Sequence, residues 1–517
     1  MTRTARNLLR LFAIARTLAR HDALFPLERF AIAPPLTFAA RLLAFPSRHR
    51  PGRPGQRLAR AIQELGPSFI KVGQLLSTRS DLLGEEVAAD LAELQDRLPP
   101  FPGDEAKRIV AAELGQPLEA LYSSFDDAPV AAASIAQVHF AVTADGREVA
   151  VKVLRPGIEE AFARDLDLFT WIAALAERTQ PDLRRLKPLE VVETMAETVQ
   201  IEMDLRFEAA AASELAQNFA EDPDFRVPAI DWLRTARRVL TLERVAGIPV
   251  DEREAIVAAG HDPDAVLAKA AAALFTQAFR DGFFHADLHP GNLFVGTEGE
   301  VVAVDFGIMG RLDRRTRHYL AEMLIGFLNG DYRMAAEAHF RAGYVPAHKS
   351  VDAFTQACRS IAEPILGRPL HEVSIARLLG QLFQVAKMFE METQPQLLLL
   401  QKSMLVAEGV GRSLNPDINM WEMARPSMEI WARENLGPQA RLRDAATDLA
   451  RGAERLPALL RDAEDTLSML ADGGLRLHPD TVRALAEAGR RPGRSWPYAM
   501  WAAIGLLAVI AGALLWG

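Results

Sequence analysis

His285-Ala-Asp-Leu-His-Pro-Gly-Asn292, with Val304-Asp-Phe-Gly307 close behind, is the stretch that decides how this chain is read. His285, Asp287, His289, Asn292 and Asp305 fall on two successive turns. The run 292–295, the turn at 296–299 and the run 301–304 predict a β-hairpin that returns Asp305 to the side of Asn292. Moving a phosphoryl group needs such a set. One carboxylate orients or deprotonates the attacking hydroxyl, the part assigned to Asp287, and oxygen ligands hold metal against the phosphates, the part assigned to Asn292 and Asp305. His285 and His289 support the motif. A polar loop that merely joined two strands would need no such spacing.

The chain has 517 residues, too long for one compact domain, and 49% of them are apolar, enough for real cores. A formal charge of -9 and a pI near 5.8 argue against a nucleic-acid partner, which calls for a basic surface. The single cysteine, Cys358, excludes an intrachain disulfide framework or a Cys-based metal cluster and fits a reducing, cytosolic face. The stretch 499–517 carries no charge and is long enough to cross nearly all of a roughly 30 Å hydrocarbon layer. Trp496, Tyr498, Trp501 and Trp516 lie near its ends and Arg490, Arg491 and Arg494 just before it. A C-terminal transmembrane helix is therefore predicted, with the body on the cytoplasmic side of the inner membrane. At the other end no secretory signal is recognisable. Leu8, Leu11, Phe12, Ala15 and Leu18 share one helical face among arginines, a pattern that suits either anionic membrane lipids or packing on the protein's own body.

Six segments follow from this pass: an amphipathic basic extension and linker (1–57), a helical extension (58–128), a strand-rich lobe (129–246), a helical lobe with the Asp287 loop (247–425), a further helical region (426–495) and the membrane segment (496–517). In the second, Pro67 opens a helix that sets Lys71 and Gln74 three residues apart. In the third, Val138, Phe140 and Val142 are expected to pair with Val149, Val151 and Val153 across an Asp145-Gly146 turn, which points Lys152 to the opposite face beside Ala150. The run 238–243 predicts a short buried strand ending at Glu243, followed by a hinge at 244–247. Beyond Asp305 the signal is helical to about Leu470.

A phosphate loop (Ala131, Ala132, Ala133, Ser134), a strand lysine (Lys152), a helix glutamate (Glu208), a catalytic aspartate (Asp287) and metal ligands (Asn292, Asp305) thus occur in the order used by kinase-like folds. With these motifs, Lys71-Val-Gly-Gln74 and Glu202-Met-Asp204, the chain resembles the UbiB family of atypical protein-kinase-like proteins over roughly residues 60–425. Ser80 and Gly84 depart from the prolines common there.

The resemblance implies an α+β, two-lobed protein-kinase-like fold with an N-terminal helical extension, and ATP and Mg²⁺ as cofactors. It implies that Lys152 pairs with Glu208 to steady the phosphates, that Glu243 belongs to the nucleotide-binding set, and that Lys71 and Gln74 cover the cleft tethered to Glu202 and Asp204. Alanines in place of glycines restrict how closely the loop backbone approaches phosphates. The expected activity is that of an ATPase or small-molecule kinase supporting ubiquinone biosynthesis, with the enzymes or intermediates of that pathway as partners and homo-oligomerisation left open. A pseudokinase scaffold, a true protein kinase and a quinone-ring monooxygenase are the competing readings. The last lacks both a dinucleotide fingerprint and an oxygen-activating metal cluster.

Overall fold

The computed structural model describes residues 3–25, 52–77, 87, 90–91, 98–179, 188–364, 381, 384–386, 388–391 and 395–415. All lie within one compact unit, Met1–Asn435. Three helices open the chain: α1 (Arg3–Arg20), α2 (Pro54–Leu65) and α3 (Pro67–Ser77). The apolar face of α1 is not free for a membrane. Leu11, Ile14, Ala15 and Leu18 are buried in a cluster with Leu58, Ile62, Phe69 and Ile70, and only Leu8 and Leu9 of its large apolar side chains are exposed. Burial of three such aliphatic side chains stabilises the packed position by about 1.5–3 kcal/mol each. Arg10 adds an ion pair to the buried carboxylate of Asp165 at 3.1 and 3.3 Å.

The strand-rich lobe begins with α4 (Gly103–Leu114) and the single turn α5 (Leu118–Leu121). Then come β1 (Tyr122–Phe125), β2 (Ala131–Ala132), β3 (Ala136–Thr143) and β4 (Glu148–Leu154), followed by α6 (Ile158–Thr179), α7 (Pro188–Glu202) and α8 (Leu205–Asn218). After β5 (Phe225–Arg226), β6 (Val239–Glu243) completes an antiparallel sheet in the order β1-β3-β4-β6, with β2 on β3. The β3–β4 register differs from expectation by one residue. Val138 faces Lys152, Phe140 faces Ala150 and Val142 faces Glu148, because the connection is a three-residue loop with Gly146 at φ 86°, not a two-residue Asp-Gly turn. One residue of slip exchanges the faces. Val149, Val151 and Val153 therefore join the outer core with Tyr122 and Ile109, while Val138, Phe140 and Ala150 share the inner face with Lys152.

The chain crosses to the second lobe through β7 (Ile248–Pro249), then forms α9 (Arg253–Ala258), α10 (Pro263–Phe275), which runs on as a π-helical turn (Thr276–Asp281), β8 (Phe283–His285), β9 (Leu293–Val295), β10 (Val301–Ala303) and β11 (Met309–Arg311). β7, β9, β10 and β5 form one sheet and β8 pairs with β11. The expected hairpin is present: β9 and β10 are antiparallel, and Val304 N–H donates to the Asn292 carbonyl at 2.9 Å. Helices α11 (Arg314–Leu328), α12 (Tyr332–Ala342), α13 (Val351–Ala362) and α14 (Pro395–Leu414) complete the described lobe. The sequence signal gave no hint of β11. Among the described residues no helix is long and apolar enough to cross a membrane, and the predicted span at 496–517 lies outside them.

Candidate active site

Lys152 is central. Its Nζ donates to both carboxylate oxygens of Glu208, at 2.8 and 3.0 Å, and to Asp305 Oδ1 at 2.9 Å. The local sequence explains the meeting. Strand alternation turns Lys152 off the face that buries Val151 and Val153. Asp204 caps α8 by accepting from Arg206 N–H, which puts Glu208 in the first turn, where a carboxylate suits the helix dipole. Asp305 adopts φ 61°, a left-handed conformation that costs roughly 1 kcal/mol or more for most side chains but is eased for aspartate by local bonding, here from Gly307 N–H at 3.4 Å. A Cβ at Gly307 would sit 3.3 Å from Asp305 Oδ1, so glycine keeps space open beside the carboxylates.

One buried cation thus serves two carboxylates. Burial alone would lower the Lys152 pKa, but Asp305 and Glu208 outweigh it and hold the ammonium above its ordinary value. Burial pushes Glu208 up to about 7 against the pull of Lys152, with the charge of Asp305 adding to the rise. Asp305 moves the other way: burial opposes ionisation, yet Lys152 holds its carboxyl well below the usual range. Its side chain is 45% exposed, which agrees with a carboxylate that stays ionised.

The catalytic loop is pinned by His285. Asp287 N–H donates to His285 Nδ1 at 3.1 Å, so the proton sits on Nε2, which donates to the Val304 carbonyl at 3.1 Å. Burial lowers the His285 pKa and keeps the ring neutral for this double role. His289 accepts from Gly291 N–H, and its carbonyl accepts from Asn292 N–H at 2.8 Å. Asn292 Nδ2 donates to the Asp287 carbonyl at 3.0 Å, which leaves its Oδ1 without a protein partner among the described residues. That oxygen and the Asp305 carboxylate are hard donors suited to Mg²⁺, an ion that takes few protein ligands and completes its shell with phosphate and water. Among the described residues no group of three His, Cys, Asp or Glu side chains is gathered as a metal site.

The remaining expected residues fall as follows. Ala131 and Ala132 form β2, paired with Val138 and Gln137, and Ala133 N–H donates to the Ala136 carbonyl, so the alanine loop is a short hairpin with no left-handed residue. Arg155 clamps the Ala133 carbonyl from Nε and Nη2 at 3.0 and 2.8 Å and reaches the Pro99 carbonyl at 2.9 Å. Ser134 Oγ is fully buried without a partner. Lys71 donates to Glu202 Oε1 at 3.1 Å, and both side chains are largely buried, which ties the helical extension to the end of α7. Asp204 instead bonds Arg206, at 2.9 and 2.6 Å, besides capping α8. The Glu243 carboxylate faces Arg226 at 2.9 Å, away from the Lys152 group.

Two residues that sequence reasoning missed stand next to this site. Lys402 Nζ lies 2.7 Å from Asp287 Oδ1, and Ser403 Oγ donates to the His285 carbonyl at 3.2 Å. Both are on α14, more than a hundred residues along the chain, where Leu400, Ser403, Val410 and Leu414 form the buried stripe. One signal was available: residues 281–310 contain no lysine or arginine, so any permanent cation beside Asp287 had to come from elsewhere.

Residues 93–339 match the ABC1 atypical kinase-like domain and residues 358–419 the UbiB helical domain. A Marinobacter nauticus protein named probable protein kinase UbiB is 40% identical over 99% of this chain and 94% of that protein. The chain belongs to the UbiB family. Similarly named proteins of Xanthomonas axonopodis pv. citri (46% identical over 80% of this chain and 74% of that one) and Pseudomonas paraeruginosa (43%, over 85% and 84%) are further relatives. Among solved structures, the complex of Rv3197 with erythromycin from Mycobacterium tuberculosis is similar at 27% identity with a TM-score of 0.51, over 68% of this chain and 90% of that one. The kinase-like α+β fold read from Asp287, Asn292 and Asp305 is that of this UbiB-family chain.

Proposed function

We propose that this UbiB-family protein binds Mg-ATP between its lobes, turns it over as an atypical ATPase or small-molecule kinase, and supports ubiquinone biosynthesis at the cytoplasmic face of the inner membrane. The observation that carries this reading is the bridge from Lys152 to Glu208 and Asp305, set beside Asn292, whose amide oxygen has no partner among the described residues. When bound, Mg-ATP supplies the activated phosphoryl group. Lys152, held by Glu208, would bind the phosphate oxygens, while Asn292 and Asp305 would hold the ion. Asp287 would take or orient the proton of the attacking hydroxyl at its carboxylate, with His285 fixing its backbone. Ala131 to Ser134 would cover the phosphates, and Lys71 and Gln74, anchored through Glu202, would narrow the acceptor side to water or a small phenol.

Membrane attachment rests on the uncharged stretch at 499–517 and the tryptophans and arginines around it. Anionic lipids and intermediates or enzymes of quinone synthesis are the proposed partners.

The test is a thermal-shift titration of the full chain with Mg-ATP, paired with phosphate release in anionic vesicles containing phenolic quinone precursors. Asp305→Asn should lose the Mg-dependent stabilisation while keeping its fold, since one metal ligand loses its charge. Unchanged Mg-ATP stabilisation of that variant refutes the metal assignment.

A further inference from the structure

We propose that Lys402, carried by the UbiB helical domain, is a catalytic cation of the phosphoryl-transfer site. This inference rests on the Mg-ATP reading above and extends it to a residue outside the kinase-like domain. Three observations point to it. Lys402 Nζ lies 2.7 Å from Asp287 Oδ1, one oxygen of the carboxylate assigned above to the attacking hydroxyl. The position is built: α14 is seated on the loop by Ser403, whose Oγ donates to the His285 carbonyl, and by Leu400, Val410 and Leu414 in the lobe's cores. Finally, the segment 281–310, which supplies every other member of the catalytic loop and the metal turn, contributes no lysine or arginine. The two flanking arginines are committed elsewhere, Arg280 to Asp281 and Arg311 to Glu214.

The chemistry requires positive charge at this point. The phosphoryl group in flight spreads negative charge over three oxygens, and a cation aimed at them from the acceptor side stabilises that charge more than it stabilises the bound reactant. Lys152 comes from β4 of the strand-rich lobe and is engaged with Glu208 and Asp305. The bond from the incoming oxygen to the γ phosphorus forms as the bond from that phosphorus to the β,γ-bridging oxygen breaks. The proton of the incoming hydroxyl goes to Asp287, and Lys402 stays protonated throughout. In the nucleotide-free protein Asp287 balances the Lys402 charge; with the nucleotide in place, the Lys402 side chain turns from Asp287 to the terminal phosphoryl oxygens. At 45% exposed the side chain has the freedom for that short swing.

The experiment compares wild type, Lys402→Met and Lys402→Arg in the full chain. It measures affinities for Mg-ATP and Mg-ADP by fluorescent-nucleotide displacement, and phosphate release. The terminal phosphoryl group is the only difference between the two nucleotides, so the ratio of affinities isolates it from any general effect on folding. Lys402→Met should weaken Mg-ATP binding about tenfold, leave Mg-ADP binding within about twofold, and lower turnover by about 10²–10³. Lys402→Arg should keep most of the ATP preference and part of the turnover, because the charge remains. Equal weakening for both nucleotides would make Lys402 a structural residue and overturn the inference. So would unchanged or raised turnover in Lys402→Met, which would mark the Asp287 pair as an inhibitory contact. A wild type that binds neither nucleotide overturns the nucleotide reading and this inference with it, whereas normal Mg-ATP binding together with normal turnover in Lys402→Met overturns this inference alone.

Discussion

Replacing Lys152 with methionine tests the buried triad most directly. The methionine fills similar space but removes a charge that lies 2.8 and 3.0 Å from the oxygens of Glu208 and 2.9 Å from Asp305. Glu208, at 7% exposed, would be left as a buried carboxylate without its cation, and breaking such a pair from one side costs about 3–5 kcal/mol. Asp305 is 45% exposed and can turn to water, so the cost falls mainly on Glu208. For a chain of this size, whose unfolding entropy is about 1.1 kcal/mol/K, the Tm should drop by about 3–5 °C. The loss should also depend on pH. Glu208 is already raised to about 7, and without Lys152 it rises further. A carboxyl whose folded pKa exceeds its unfolded value binds its proton more tightly when folded, so its stability contribution is full below pH 4.5 and is lost as pH rises towards the folded pKa. The gap between wild type and variant should therefore widen from pH 5.5 to pH 8 in thermal or urea unfolding. The double variant Lys152→Met, Glu208→Leu removes both charges and should be more stable than Lys152→Met alone. A single variant within 1 kcal/mol of wild type, or a gap independent of pH, refutes the claim that Glu208 depends on Lys152 for its burial.

Three further outcomes follow. Lys71→Ala leaves Glu202, 9% exposed, without its partner and unties the extension from α7; limited proteolysis should show faster cleavage in residues 52–77, and Glu202→Gln should do the same. His339 is enclosed by Phe327, Tyr344 and Phe354, and burial holds its pKa below the ordinary 6.5. The unfolded chain then binds more protons than the folded one below pH 6.5, so stability falls as pH drops from 6.5 towards 5; the acid limb of Tm against pH should be flatter in His339→Gln. Truncation before Trp496 should release most of the protein from membranes, and carbonate-resistant retention of the truncated chain would show that the span was misread.

The parts of the fold that were legible are those that local chemistry determines. The hairpin returning Asp305 to Asn292 needs only two short apolar runs and a glycine-rich turn, and Lys152 needs only strand alternation to leave the core face. The β3–β4 register was not legible because Asp145-Gly146 is compatible with a two-residue or a three-residue loop; hydrogen bonds from Gly146 N–H to Thr143 and from Thr143 N–H to Arg147 select the longer one. The N-terminal helix was ambiguous for a different reason. An apolar stripe flanked by arginines serves a lipid surface or an acidic protein face equally well, and Asp165 and Asp167, which receive Arg10 and Arg6, are about 160 residues away. Lys402 belongs to the same class, since spacing within a helix says nothing about a partner on a loop more than a hundred residues earlier.

Three lysines from three separate segments each neutralise a carboxylate of the site or its supports: Lys71 at Glu202, Lys152 at Glu208 and Asp305, Lys402 at Asp287. The two that touch the catalytic loop and the metal turn use the same carboxylates that Mg-ATP and the attacking hydroxyl would need. On the proposed reading nucleotide entry would be an exchange, in which a divalent ion would take the place of Lys152 at Asp305 and phosphate oxygens would take the places of Asp305 at Lys152 and of Asp287 at Lys402. Such an exchange keeps every buried charge compensated before and after, which avoids the desolvation cost of opening an ion pair into an empty cleft. It also makes metal and triphosphate depend on each other. The ion alone would leave Lys152 with no partner beyond Glu208, whereas the triphosphate alone would add its charge beside Asp305 with no ion to compensate it. Binding of either by itself should be weak, and a titration of nucleotide with and without Mg²⁺ should show strong mutual enhancement, of a size that Asp305→Asn removes.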